Sequence, residues 1–193
     1  MMNLGVFASG SGSNFEAIME AVKSGAVAGK VQLLVCDKED AYAIKRAENH
    51  GVPVFTYQPK VFASKEAYET EILRQLQAYN VELIVLAGYM RLIGSTLLSA
   101  FEHRIVNIHP SLLPAFPGLD AIGQAFDAKV KVSGVTVHYV DAGMDTGPII
   151  AQEAIHIEDG DTKEDVQRKI QQVEHQLYPK TIQGVIEQIT RGV

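Results

Sequence analysis

The chain has 193 residues, 47% of them apolar, which supports one domain with a sizeable core, falls short of two ordinary domains and argues against disorder. Its formal net charge is −6 with no run of Lys and Arg, which argues against a nucleic-acid surface, because such surfaces draw their affinity from clustered cations. The single cysteine, Cys36, excludes an intramolecular disulfide or a multi-cysteine metal site, and the apolar run 4–8 is too short for a signal-peptide core or a membrane span.

Short apolar runs alternate with longer amphipathic ones. Residues 4–8 read as a buried strand, followed by a helix over 14–23 with Asn14 as its N-cap. A second strand is expected over 31–36, a second helix over 41–49 ending at His50-Gly51, and a short third strand over 54–56. Apolar positions Ala67, Tyr68, Ile72, Leu76 and Tyr79 recur at helical spacing, so 64–79 reads as a helix capped by Ser64. Residues 83–87 and 104–108 are the fourth and fifth strands, with a helix over 94–101 between them. The pattern then changes. Residues 134–140 and 149–157 are strand-like with no helix between them, and one long helix over 161–188, bent or broken near Tyr178-Pro179, closes the series. This order predicts an α/β fold: a doubly wound, mostly parallel sheet with late antiparallel strand pairing and a long C-terminal helix.

In such sheets ligands bind beyond the carboxyl ends of the strands. Four segments fall there: 9–14, 88–93, 107–118 and 141–148. They are also the least ordinary stretches of the sequence.

The first, Ser9-Gly-Ser-Gly-Ser-Asn14, joins a strand to a helix. Its glycines let backbone N–H groups approach an anion, and the helix start adds its dipole. A phosphate bound here needs no lysine. Two other readings stand beside this one. A dinucleotide fingerprint would use Gly10, Gly12 and, for a ribose, Asp37, although Phe15 occupies the place of the third glycine. A plain strand-to-helix turn would bind nothing.

Residues two apart on a strand point the same way, so Asn107 and His109 share one space. An amide donor beside an imidazole suits oxyanion stabilisation and proton movement. The prolines at 110, 114 and 117 stiffen the loop that follows. Gly143 and Gly147 bracket Asp145, which suggests a special backbone path that aims its carboxylate. Near His109 such a carboxylate would favour the imidazolium. His50, His103, His156 and His175 lack such company and read as surface or packing residues, and His138, within a strand, reads as structural.

Taken together, these segments resemble the glycinamide ribonucleotide formyltransferases of purine synthesis. The resemblance runs through Gly10-Ser-Gly-Ser-Asn14, Leu86-Ala-Gly-Tyr-Met-Arg-Leu92, Asn107-Ile-His-Pro-Ser-Leu-Leu-Pro114, Gly134-Val-Thr-Val-His138 and Met144-Asp-Thr-Gly-Pro148, and extends to Glu174-His175 and Tyr178-Pro179. It implies a Rossmann-like formyltransferase fold forming one catalytic domain over 1–193. The implied activity is transfer of a formyl group from 10-formyltetrahydrofolate, as co-substrate, to the amine of 5'-phosphoribosylglycinamide. Asn107, His109 and Asp145 are then the catalytic trio. Gly12, Ser13 and Asn14 hold the phosphate, and Lys65, Met90, Arg91, Leu92, Ile93 and Asn107 bind the folate. Glu174 contacts the glycinamide or ribose. No metal is implied, the partners are the two small molecules rather than nucleic acid or membrane, and the location is cytoplasmic; a homodimer is left open. Asp120 stands where some members have histidine, and Ala142 where an acid is frequent, so a polar folate contact at 142 is expected to be missing.

The nearest rivals share the trio. Formyltetrahydrofolate hydrolases carry an extra N-terminal domain, for which a first strand at Leu4 leaves no room. Methionyl-tRNA formyltransferases carry a C-terminal RNA-binding domain, and sugar-nucleotide formyltransferases have additional domains. A nucleotide-dependent oxidoreductase, argued from Gly10, Gly12 and Asp37, is opposed by Phe15. A non-catalytic binding module is opposed by the intact trio.

Overall fold

The computed structural model describes residues 1–192. Seven strands form one sheet among these residues: β1 (Met2–Ala8), β2 (Gly29–Cys36), β3 (Val54–Thr56), β4 (Leu83–Leu86), β5 (Ile105–His109), β6 (Val132–Tyr139) and β7 (Ile149–His156). Their order is β3-β2-β1-β4-β5-β6-β7. The first five pair in parallel, while β6 runs antiparallel to both β5 and β7. The chain leaves β1 toward β2 on one side and returns to β4 on the other. The carboxyl ends of β1 and β4 therefore flank the crevice at which open α/β sheets bind ligands.

The central strands read as apolar runs because helices cover both faces. Leu4, Val6, Val85 and Val106 face α1 (Ser13–Ser24) and α6 (Lys163–Arg191), where they meet Phe15, Ile18, Ile170 and Ile182. Phe7, Leu33, Ile84 and Ile105 face α3 (Lys65–Ala78) and α4 (Ser95–Ala100), against Ile72, Leu76 and Leu97. A fully buried side chain of this size contributes about 1.5–3 kcal/mol, which outweighs weak local propensity in an element as short as α4. The remaining helices are α2 (Tyr42–Asn49) and α5 (Ala121–Asp127), with a 3-10 turn at Pro59–Val61.

Ser64 caps α3 as expected, its hydroxyl accepting from Ala67 N. Four local expectations are corrected. Asn14 is not an N-cap: α1 begins at Ser13 and its cap is Gly12, at φ 72°. Any side chain at 12 would sit 2.8 Å from Ala43 Cα, so the left-handed, tightly packed turn needs glycine. The helix α5 was unforeseen; Asp120 caps it by accepting from Gly123 N. The 3-10 turn was also unforeseen. Finally, Pro179 does not break α6, which runs from a Thr162/Asp165 capping box to Arg191. Packing holds this helix through the missing hydrogen bond. Tyr178 is fully buried, and its hydroxyl donates toward Leu86 O at 2.7 Å and Val106 O at 3.1 Å, joining the end of β4 to the start of β5.

Candidate active site

Beyond the ends of β1, β4 and β5 lies a cavity of about 400 Å³. All four segments singled out in the sequence reach it: Asn14, residues 88–93, residues 107–110 with Gly118, and Asp141 with residues 143–145. His138 and Glu174 complete the lining that matters for chemistry. Gly12 and Ser13 form the turn beside Asn14 without lining the cavity. Lys65 opens α3, exposed and away from the lining. Asp120, which caps α5 and pairs with Lys163 at 3.2 Å, lines the cavity, and Ala142 does not.

Strand alternation sets Asn107 and His109 on one side of β5. The buried His109 ring places Nε2 2.8 Å from Phe116 O, and a carbonyl only accepts, so this nitrogen carries a hydrogen. Nδ1 lies 3.5 Å from Asp145 Oδ2. Both ring nitrogens thus face acceptors, an arrangement that the doubly protonated ring satisfies. Asp145 Oδ2 also accepts from Gly118 N at 2.8 Å, which fixes the carboxylate against the proline-stiffened loop. That loop is itself pinned to β6, where Thr136 Oγ1 accepts from Leu113 N and donates to Ser111 O.

The glycine bracket around Asp145 has a concrete cause. Asp145 adopts φ 56°, a left-handed conformation that is uncommon for a side-chain-bearing residue. A Cβ at Gly147 would lie 1.7 Å from Tyr139 O, so the return into β7 admits only glycine.

His138, read from the sequence as structural, also lines the cavity. The antiparallel register sets it directly opposite Asn107. Its Nδ1 donates to Tyr139 O at 2.8 Å, and Nε2 lies 3.3 Å from Asn107 Nδ2. Burial pushes this imidazole below its ordinary value, so the neutral ring accepts from the amide. Asp145 Oδ1 lies 3.8 Å from the same nitrogen, acceptor facing acceptor, and makes no hydrogen bond with it. The Asn107 amide keeps a second N–H for the cavity. A histidine in cross-strand register with Asn107 is the signal that would have found it.

On the opposite wall, the loop carbonyls are turned outward and occupied. Ala43 N donates to Gly10 O at 3.0 Å, and Arg46 Nε to Ser11 O at 2.8 Å. The first N–H groups of α1 have no partner within the helix and suit an anion. Asn14 is buried; its Nδ2 lies 3.5 Å from Glu174 Oε2, while its Oδ1 has no partner. Burial pushes the Glu174 carboxyl up to about 7, with the Asn14 contact acting the other way. Asn14 and Glu174 thus line the cavity together, with an unpartnered buried acceptor on Asn14.

The third wall is residues 88–93, with Met90 and Leu92 exposed and Ile93 buried. Asp37 does not serve a ribose. Its Oδ1 accepts from Ser9 Oγ at 2.6 Å and its Oδ2 from Arg91 Nε at 2.7 Å. With Phe15 fully buried where a dinucleotide motif needs glycine, the oxidoreductase reading loses both supports.

The chain matches the family described as formyl transferase over residues 2–182. It is 55% identical over 192 residues to phosphoribosylglycinamide formyltransferase of Bacillus subtilis, covering 100% of this chain and 98% of that protein. The corresponding Escherichia coli protein is 37% identical, with 94% and 85% covered. Among solved structures, glycinamide ribonucleotide transformylase 1 from Geobacillus kaustophilus superimposes with a TM-score of 0.94 at 57% identity, covering 96% of this chain and 98% of that one.

Proposed function

Since the chain belongs to the formyl transferase family, we propose that it is an enzyme transferring the formyl group of 10-formyltetrahydrofolate to the amine of 5'-phosphoribosylglycinamide, forming N-formylglycinamide ribonucleotide in de novo purine biosynthesis. The observation that carries the reading is the convergence of Asn107, His109 and Asp145 on one cavity between an anion-binding turn and an apolar wall.

In this reading the turn of Gly12, Ser13 and Asn14 holds the acceptor's phosphate, and Glu174 with Asn14 Oδ1 accepts from its hydroxyl or amine donors. The folate's flat ring system lies along the wall of Met90, Arg91, Leu92 and Ile93. Lys65, at the start of α3, is assigned to the donor's outer, anionic end, which would extend beyond the cavity. The acceptor amine attacks the formyl carbon, and the carbonyl oxygen gains negative charge. The free N–H of Asn107 and the His109 imidazolium stabilise that charge, and Asp145 keeps the ring charged and oriented. As the intermediate collapses, the carbon–N10 bond breaks. The proton lost by the attacking amine is balanced by the one gained at N10, with His109 as the relay once its Nε2 leaves Phe116 O.

The partners are thus two small-molecule substrates. Among the described residues no helix is long and apolar enough to cross a membrane. A cytoplasmic location fits a charged, phosphorylated acceptor that bilayers retain. Sedimentation velocity decides between a monomer and a homodimer.

The decisive experiment is a spectrophotometric transfer assay with 10-formyltetrahydrofolate, run with and without the ribonucleotide. Turnover that requires the ribonucleotide is the expected result. Deformylation without it would indicate a hydrolase, and no turnover in either case would overturn the reading.

A further inference from the structure

Asp37 stood out in the sequence for a ribose contact that it does not make. It does not line the cavity either, yet its side chain is only 2% exposed and both its oxygens are occupied. The two groups that occupy it lead to the same place. Ser9 donates its hydroxyl hydrogen to Asp37 Oδ1 at 2.6 Å and accepts from Met90 N at 2.9 Å. A carboxylate only accepts and an amide N–H only donates, so the direction of this relay is fixed. Ser9 N also donates to Gly88 O at 3.1 Å. Arg91 Nε closes the second arm on Asp37 Oδ2 at 2.7 Å. Gly88, Met90 and Arg91 are therefore all fastened to one buried carboxylate, directly or through Ser9. At the far end of the same segment Gly94 N donates to Glu69, another buried carboxylate, at 2.6 Å. Residues 88–93 thus hang between two anchors, and only the Asp37 anchor is an ion pair.

We infer that Asp37 is a positioning residue for the formyl-donor wall: through Ser9 and Arg91 it fixes the path of residues 88–93 and thereby the affinity for the folate. This rests on the reading of that wall as the donor site. Ser9 also opens the acceptor's loop, but Gly10 and Ser11 beyond it have their own ties to Ala43 and Arg46 of α2, so the effect falls mainly on the donor. Arg91 is partly exposed, so water can solvate its guanidinium when the partner is removed, and the substitution is expected to leave the fold intact.

The test compares the parent with Asp37→Ala and Asp37→Asn by steady-state kinetics and by calorimetric titration with 10-formyltetrahydrofolate. In Asp37→Ala, the folate KM and Kd are expected to rise about tenfold, with kcat within about threefold and the ribonucleotide KM within about twofold of the parent, because charged hydrogen bonds that position one wall are lost. Asp37→Asn keeps an acceptor for Ser9 but loses the charge facing Arg91, so it is expected to restore roughly half of the lost affinity on a logarithmic scale. A merely structural role would lower the active fraction, and hence kcat, leaving the KM values in place; that result overturns the inference. So does an unchanged folate Kd, or an equal rise for both substrates. Circular dichroism checks folding, and if Asp37→Ala fails to fold, Asp37→Asn decides by the same criteria. A parent that binds no 10-formyltetrahydrofolate overturns the donor-site reading itself, and this inference with it.

Discussion

His138 accepts a hydrogen bond from Asn107 across the β5–β6 pair, with Nε2 3.3 Å from the amide nitrogen. The other ring nitrogen is committed to Tyr139 O, and burial holds the ring neutral. The imidazole therefore settles which way the Asn107 amide faces, because only the Nδ2 side can donate to it. His138→Ala is expected to lower kcat about tenfold to a hundredfold, less than the 10²–10³ that follows loss of an oxyanion donor itself. Steady-state kinetics on the purified variant decides this, and an unaltered kcat would mean that Asn107 needs no orienting partner.

His109 carries the larger burden. It touches Phe116 O and Asp145 and faces the cavity, while contributing little to the sheet's apolar packing. His109→Ala should leave the circular dichroism spectrum unchanged and reduce transfer by on the order of 10²–10³ or more. Near-normal turnover would refute its role.

Glu174 links the cavity to stability. Its folded carboxyl titrates at about 7 against an ordinary value of 4.5, so the folded chain holds this proton more tightly than the unfolded chain does. The stabilisation is complete below about pH 4.5, declines as pH rises between the two values, and is gone above about 7. Glu174→Gln removes this dependence, since it cannot ionise. Relative to the parent, the variant should gain up to about 3 kcal/mol in unfolding free energy between pH 4.5 and pH 8. Urea denaturation at the two pH values gives the difference, and a constant gap between variant and parent would contradict the buried, raised carboxyl.

Gly12→Ala probes the anion turn. The φ of 72° and the 2.8 Å approach to Ala43 oblige the loop to shift. We expect a loss of about 1–2 kcal/mol in stability, with a ribonucleotide KM raised about tenfold and a folate KM unchanged. Equal KM values in parent and variant would show that the turn does not hold the phosphate.

The centre of the sheet was legible because its strands are buried on both faces: β4 is an unbroken apolar run, and β1 and β5 are mostly apolar. Asn107 and His109 were legible through simple alternation. What escaped depends on distance along the chain. Which strand residue stands opposite which is a property of register, so His138 could not be placed from its own strand alone. Asp37 was visible as an acid, but its partners lie 28 and 54 residues away. Pro179 marked a bend or a break by local rule, and the burial of Tyr178 and Ile182 on either side keeps the helix unbroken. The helix α5 has seven residues with Gly123 inside it, too little periodicity to register; its capping Asp120 was the one available clue.

Tyr178 and Glu174 lie one helical turn apart on α6, which follows every strand of the sheet in the chain. During synthesis the strands are therefore made before the element that ties β4 to β5 and closes the acceptor side of the cavity. Each nascent chain passes through a stage in which one face of its sheet lacks its cover and the Leu86 and Val106 carbonyls lack the tyrosine hydroxyl. Asn14 must wait for a partner 160 positions downstream. Completion of the cavity is thus a late event in the life of the molecule, and a chain halted before residue 178 would hold Asn107, His109 and Asp145 in a protein still open to chaperones and proteases.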